Sequence, residues 1–201
     1  MELQNALTSA EQRAADERHR ADVLQAEYDR YHRMSDTSFG GIPMAQIRAD
    51  LVLWESVLNS NPQLKAIFEI GTWQGGFSWW LWGQANPRDM WFNTFDSIEP
   101  DKEEPPGFMR IDVFADAEYL GKRFRAFEPC LVFCDGGNKP RELRTFAAEL
   151  RDPASLLLVH DWGTEMLPEN VPDTVEMVYG EFCEELGSVT RVFRLKEGGD
   201  G

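Results

Sequence analysis

The apolar positions of this chain change texture twice. Residues 1 to about 35 hold no glycine or proline, and Leu3, Leu7, Ala10, Ala14, Ala21, Leu24, Tyr28 and Tyr31 recur at alternating steps of four and three. That is a heptad seam, and it predicts a long helical arm over residues 1–36. The small alanines and Glu17 in the seam weaken it, which leaves two readings open: a homo-oligomer joined through the arm as a coiled coil, or a solitary solvated helix. The run Asp36-Thr37-Ser38-Phe39-Gly40-Gly41 ends the arm, because paired glycines after polar residues break a helix.

From Pro43, Ile47, Leu51, Trp54 and Leu58 step by three and four, which predicts a helix closing near Asn59-Ser60-Asn61-Pro62. Beyond it, short apolar runs alternate with amphipathic stretches. The runs are Ala66–Ile70, Trp91–Phe95, Phe108–Ile111, Cys130–Cys134, Leu156–Val159 and Val189–Leu195. Helices are expected at Phe77–Trp82, Ala115–Phe127, Arg141–Leu150 and Thr174–Leu186. Six strands separated by helices predict an α/β domain over 42–197 with a Rossmann-like, mostly parallel sheet flanked by helices. Between the second and third strands, residues 97–106 are acidic and proline-rich and too short for a comfortable crossover helix.

Composition narrows the partners. Against 35 acidic residues stand 20 basic ones, a formal charge of −15 that repels phosphate backbones and anionic lipid, so neither nucleic acid nor a membrane is an expected partner. No apolar stretch approaches the ~20 residues of a membrane helix, and the start Met1-Glu2-Leu3-Gln4-Asn5 has no signal-peptide pattern, so a cytoplasmic location is expected. Cys130 and Cys134 stand four apart in one extended run, too far for a disulfide, and read as reduced buried thiols. A small-molecule substrate fits this profile.

Ligands of an open parallel sheet lie beyond the carboxyl ends of its strands. The first strand ends in Glu69-Ile70-Gly71-Thr72-Trp73-Gln74-Gly75-Gly76-Phe77-Ser78, whose glycines allow a tight turn and a close backbone approach before a helix. It departs from the G-x-G-x-x-G dinucleotide fingerprint. Each of the next four strands ends in an acid, Asp96, Asp112, Asp135 and Asp161. One such acid is most simply a helix cap; four on one rim can bind ribose hydroxyls and an exocyclic amine, or a hard cation.

At residues 42–162 the chain resembles the class I S-adenosylmethionine-dependent methyltransferases, in their small-molecule O-methyltransferase and cephalosporin hydroxylase-like branch. Glu69-Ile70-Gly71-Thr72, with Gly75, Gly76 and Ser78, is similar to the branch's first motif, which lies against the methionine part of the cofactor, and Trp73 in the same loop is a candidate cofactor contact. By the same resemblance Asp96 implies the ribose-binding acid and Asp112 the acid near adenine. Phe133-Cys134-Asp135-Gly136-Gly137-Asn138-Lys139 and Leu158-Val159-His160-Asp161-Trp162 resemble its fourth- and fifth-strand ends. One strand after the fifth, where the family has two, predicts a sheet truncated at its C-terminal side.

Methyl transfer from a sulfonium requires in-line alignment and removal of the acceptor's proton. The resemblance implies a metal-assisted version in which Asp135, His160 and Asp161 hold Mg²⁺; the imidazole suits Mn²⁺ better. In a metal-free version His160 is the general base, oriented by Asp135 or Asp161. Lys139 is a candidate contact to the developing alkoxide, and Trp73 and Trp162 are candidate pocket aromatics. The competing readings are a non-catalytic nucleotide-binding-fold scaffold whose arm mediates assembly, and a nicotinamide-dependent oxidoreductase sharing Asp96 but lacking the fingerprint.

Overall fold

A computed structural model describes residues 37–101 and 103–196. The predicted arm, with its coiled coil and homo-oligomer, and the glycine-rich tail lie outside the described residues. Thr37 leads into a hairpin of β1 (Ser38–Phe39) and β2 (Ile42–Pro43), turned by Gly40 and Gly41 at φ +58° and +82°. Pro43 therefore sits in a strand, and the helix expected from it, α1, spans Arg48–Ser60. Leu53, Trp54, Val57 and Leu58 form its buried face.

The remaining strands are β3 (Ala66–Ile70), β4 (Trp91–Asp96), β5 (Phe108–Arg110), β6 (Cys130–Cys134), β7 (Leu156–Val159), β8 (Val175–Val178) and β9 (Arg191–Leu195). They form one seven-stranded sheet in the order β5-β4-β3-β6-β7-β9-β8, parallel from β5 to β7 and antiparallel at β9 and β8. Helices α2 (Gly76–Ala85), α3 (Ala117–Ala126), α4 (Lys139–Glu149) and α5 (Gly180–Leu186) complete the flanks. The expected mostly parallel, helix-flanked sheet is present, and residues 97–107 cross from β4 to β5 with no helix among the described residues.

The expected C-terminal truncation is not. Residues 174–186, read as one helix, divide into the edge strand β8 and the short helix α5, hinged at Tyr179 with φ +60°. Val175-Glu176-Met177-Val178 has the β-branched ends that suit a strand, and β9 offers it a full set of antiparallel partners.

Burial on both sides of the central strands follows the pleat. In β3, Ala66, Phe68 and Ile70 face a core layer with Phe124 of α3 and Phe146 of α4; Ile67 faces the other, with Trp54 of α1 and Leu81 of α2. Cys130, Val132 and Cys134 against Leu131 and Phe133 repeat the alternation in β6. All three cysteines are free and buried, as expected. No helix among the described residues is long and apolar enough to cross a membrane.

Candidate active site

Strand order reverses between β3 and β6, and a cleft of about 440 Å³ opens there at the carboxyl ends of β3, β4, β5 and β6. Gly71, Trp73, Asp96, Asp112, Asp135 and Glu142 are among its walls. The volume lies in the ordinary range of small-ligand sites, ~300–1,000 Å³. Gly71 has φ +97°, and a Cβ there would stand 2.4 Å from the Asp135 carbonyl oxygen, so only glycine lets the β3 turn pass under the β6 turn.

Asp96 and Asp112 reach the cleft with their carboxylates already engaged. Oδ2 of Asp96 accepts from the backbone N–H groups of Thr72 (3.0 Å) and Trp73 (3.1 Å), and Oδ1 from Ile98 (3.1 Å). That takes three of about four acceptor positions of the carboxylate and ties the β3 turn to the β4 turn. Trp73, half exposed, is thereby held at φ +47°, a left-handed conformation costly for a bulky side chain. Oδ1 of Asp112 accepts from Phe114 and Ala115 N–H at 3.0 and 3.1 Å, which holds its carboxyl below the usual range. It is a turn cap as well as a cleft residue.

Part of the expected cofactor set lies behind the cleft wall. Ser78 donates to Glu69 at 2.5 Å, and the hydroxyls of Thr72 and Thr94 share a hydrogen bond of 2.6 Å. Burial pushes the Glu69 carboxyl up to about 8, with Asp135 and Asp96 adding to the shift. Gly75 at φ +83° starts α2, and a Cβ on Gly76 would meet the carbonyls of Ile42 and Pro43 at 2.4 and 2.2 Å. Glu69, Thr72, Gly75, Gly76 and Ser78 thus build the support of the turn and do not line the cleft. Trp162 likewise packs against Phe193 of β9, 6.1 Å between ring centroids, under the Arg191 guanidinium, and is not a wall of the cleft.

Beside the cleft the ends of β6 and β7 bring together the residues expected to act on the substrate. Nδ1 of His160 lies 3.1 Å from Asp135 Oδ1 and 3.4 Å from Asp161 Oδ1. One donor atom from each of Asp135, His160 and Asp161 falls within 4.8 Å of the others, a grouping of the kind that holds a metal ion. Asp161 holds φ +60°, a conformation aspartate tolerates, so its backbone turns while its carboxylate stays with His160. Lys139 Nζ joins from the first residue of α4, 3.0 Å from Asp161 Oδ2 and 3.7 Å from Asp135 Oδ1, and also contacts Glu165 Oε2 and the Gly136 carbonyl, each at 2.9 Å.

Three further residues complete the cluster. Asp50, wholly buried on α1, stands 3.6 Å from Nε2 of His160 while its Oδ1 accepts from Ser188 (2.6 Å), Val189 (3.1 Å) and Thr190 (3.2 Å). Gln46 Nε2 donates to Asp135 Oδ2 at 2.9 Å. Glu142 accepts from the N–H groups of Gly136 and Asn138, and burial pushes it up to about 7. Asp50 is four before the buried Trp54, so a carboxylate on the apolar face of α1 was the available signal; Gln46, just before the helix, gave none.

The charges support one another. Burial disfavours the imidazolium of His160, yet Asp135, then Asp161 and Asp50, hold its pKa well above the ordinary value. Burial would raise Asp161, but His160 and Lys139 hold it well below the carboxylate range; His160 and Ser188 lower buried Asp50 against the same effect. Lys139 is raised, its burial outweighed by Asp135, Glu165 and Asp161.

No family model and no curated protein matches the sequence. Solved structures do. An apo structure of CmcI is 14% identical with a TM-score of 0.64, covering 80% of this chain and 76% of that one. A CmcI structure with Mg and SAM gives 14% and 0.63 over 81% and 78%, and one with SAH 14% and 0.58 over 80% and 82%. The likeness is one of fold, a Rossmann-like, mostly parallel α/β sheet flanked by helices.

Proposed function

We propose that this protein is an S-adenosylmethionine-dependent methyltransferase that methylates a hydroxyl oxygen of a small molecule, with a divalent cation held by Asp135, His160 and Asp161. The observation that carries the reading is the joining of cleft and cluster at Asp135, whose carboxylate belongs to both. The fold, shared with CmcI structures described with Mg and SAM or with SAH, supports it.

The residues fit both groups. The turn at Gly71, crossed closely by the Asp135 backbone, leaves a cradle that a Cβ would fill, and Asp96 and Asp112 stand on the adjoining wall. Two carboxylates and an imidazole form the donor set, with Nε2 of His160 turned to Asp50 so that Nδ1 is left toward Asp135 and Asp161. When bound, the cofactor supplies a methyl group on a sulfonium and the cation supplies Lewis acidity that lowers the pKa of the acceptor hydroxyl. Asp96 fixes the turn that orients the cofactor, and Asp135, on the cleft wall, would hold the cation beside it. His160 is 1% exposed with both nitrogens facing carboxylates, which supports a cation-holding role over that of a free general base. Lys139, turned into the cluster, assists through its charge.

Calorimetric titration of chelator-treated protein with S-adenosylmethionine, repeated with excess Mg²⁺ and Mn²⁺, tests the reading. Micromolar binding that is lost in Asp96→Ala is expected, with metal-dependent heat lost in Asp135→Ala. Absence of cofactor binding under every condition would overturn it.

A further inference from the structure

Lys139 carries charge into the same few ångströms that the donor set offers to a cation. Its Nζ lies 3.0 Å from Asp161 and 3.7 Å from Asp135, and its side chain is only 6% exposed. The position is built. Asn138 caps α4 by accepting from Arg141 N–H at 3.1 Å, and Lys139 follows directly, its ammonium donating to the Gly136 carbonyl at 2.9 Å. Glu165 closes the other side. The turn 161–166 folds on the Asp161 carbonyl, which accepts from the N–H groups of Thr164, Glu165 and Met166 at 3.1–3.2 Å, and this brings Glu165 Oε2 to 2.9 Å from Nζ.

We propose that Lys139 is a resident counter-cation of this site: its ammonium compensates Asp135 and Asp161 when no divalent ion is bound, and competes with that ion for the two carboxylates. The proposal rests on reading Asp135, His160 and Asp161 as the metal donors. Two of the four acceptors around Nζ, Asp161 and Asp135, belong to the donor set; the other two, Gly136 O and Glu165, do not. The ammonium can therefore release the first pair and keep the second without leaving the protein. A unit positive charge retained a few ångströms from a divalent ion in a partly buried site still repels it strongly. The chain thus exchanges one cation for another, and the identity of residue 139 sets how tightly the divalent ion is held.

Electron paramagnetic resonance of free Mn²⁺ titrated into the full chain, without cofactor, tests this. Lys139→Met is expected to tighten Mn²⁺ binding at least about tenfold, because the repelling charge is gone while all three donors remain. Lys139→Arg, which keeps the charge, stays near wild type. Lys139→Gln, which keeps a donor for Gly136 and Glu165, serves if the methionine variant does not fold. In thermal denaturation Mn²⁺ should stabilise Lys139→Met more than wild type. Equal or weaker binding by the neutral variants overturns the proposal; if Asp161→Asn still abolishes that binding, the donor set stands and only the role of Lys139 fails. No Mn²⁺ binding by wild type or any variant overturns both.

Discussion

The turn after β3 lines the cleft and the paired ends of β6 and β7 meet beside it, and the two are built on opposite principles. Around the first, polar groups satisfy one another: Glu69 with Ser78, Thr72 with Thr94, and Asp96 with two backbone N–H groups. Glu69 holds its proton to about pH 8, so this support is largely uncharged. Around the second, Asp50, Asp135, Asp161 and Glu165 meet His160 and Lys139; buried Gln46 Oε1 has no hydrogen-bond partner among the described residues, and His160 Nε2 has the Asp50 carboxylate at a loose 3.6 Å. A fully satisfied network rigidifies a loop, while a buried cluster with charge in excess is costly and is arranged for a ligand. The first region shapes the cleft, and the second supplies its chemistry.

Exchanging a side chain at each region should separate the two roles. Gly71→Val forces a Cβ into the Asp135 carbonyl at positive φ and should cost more than about 4 kcal/mol in urea denaturation, taking cofactor binding with it. A loss below about 1 kcal/mol would mean that the turn is free to move. On the charged side, Asp50→Ala leaves His160 and the N–H groups of Val189 and Thr190 without their acceptor and should cost about 3 kcal/mol. The milder Asp50→Asn should weaken Mn²⁺ binding by about 10–100-fold, because Nε2 of His160 loses its carboxylate. Unchanged affinity would reduce Asp50 to a link between α1 and the segment before β9.

Proton linkage separates the groups held above their ordinary values from those held below. The folded chain holds the Glu69 proton to about 8 and the Glu142 proton to about 7, against ordinary values near 4.5. Between about pH 4.5 and 8 it therefore binds more protons than the unfolded chain, and stability falls as pH rises. Glu69→Gln should match wild type near pH 4 and exceed it at pH 8. Identical slopes for both proteins would show that Glu69 ionises freely. Asp161 and Asp50 act with the reverse sign: their folded values are depressed, so their stabilisation is complete above the ordinary carboxylate range and is lost as pH falls below it. The smallest effect is expected at Trp73, whose ring is half exposed. Trp73→Ala should leave stability within about 0.5 kcal/mol and reduce cofactor affinity only a few-fold, the size of an exposed cation–π contact.

The apolar runs alone determined the sheet's central strands, because β3, β6 and β7 are buried on both faces, β6 and β7 as unbroken apolar runs and β3 with Glu69 as its one polar residue. They also placed the acids Asp96, Asp112, Asp135 and Asp161 on one rim, since a parallel sheet puts every strand end on the same side. The edge strand β8 was not legible: its pattern of four residues is ambiguous until β9 offers hydrogen bonds. Only tertiary structure decided which polar residues meet. Gln46, Asp50 and Glu165 reach the cluster from a helix start, a helix face and a turn, and Asp50 touches Ser188 across 138 positions of sequence. The same packing moved Glu69 and Ser78 behind the wall and turned Lys139 inward. Local sequence encodes the period of an element and the residue at its end; the direction in which a buried charge points is settled by the other charges the fold brings to it.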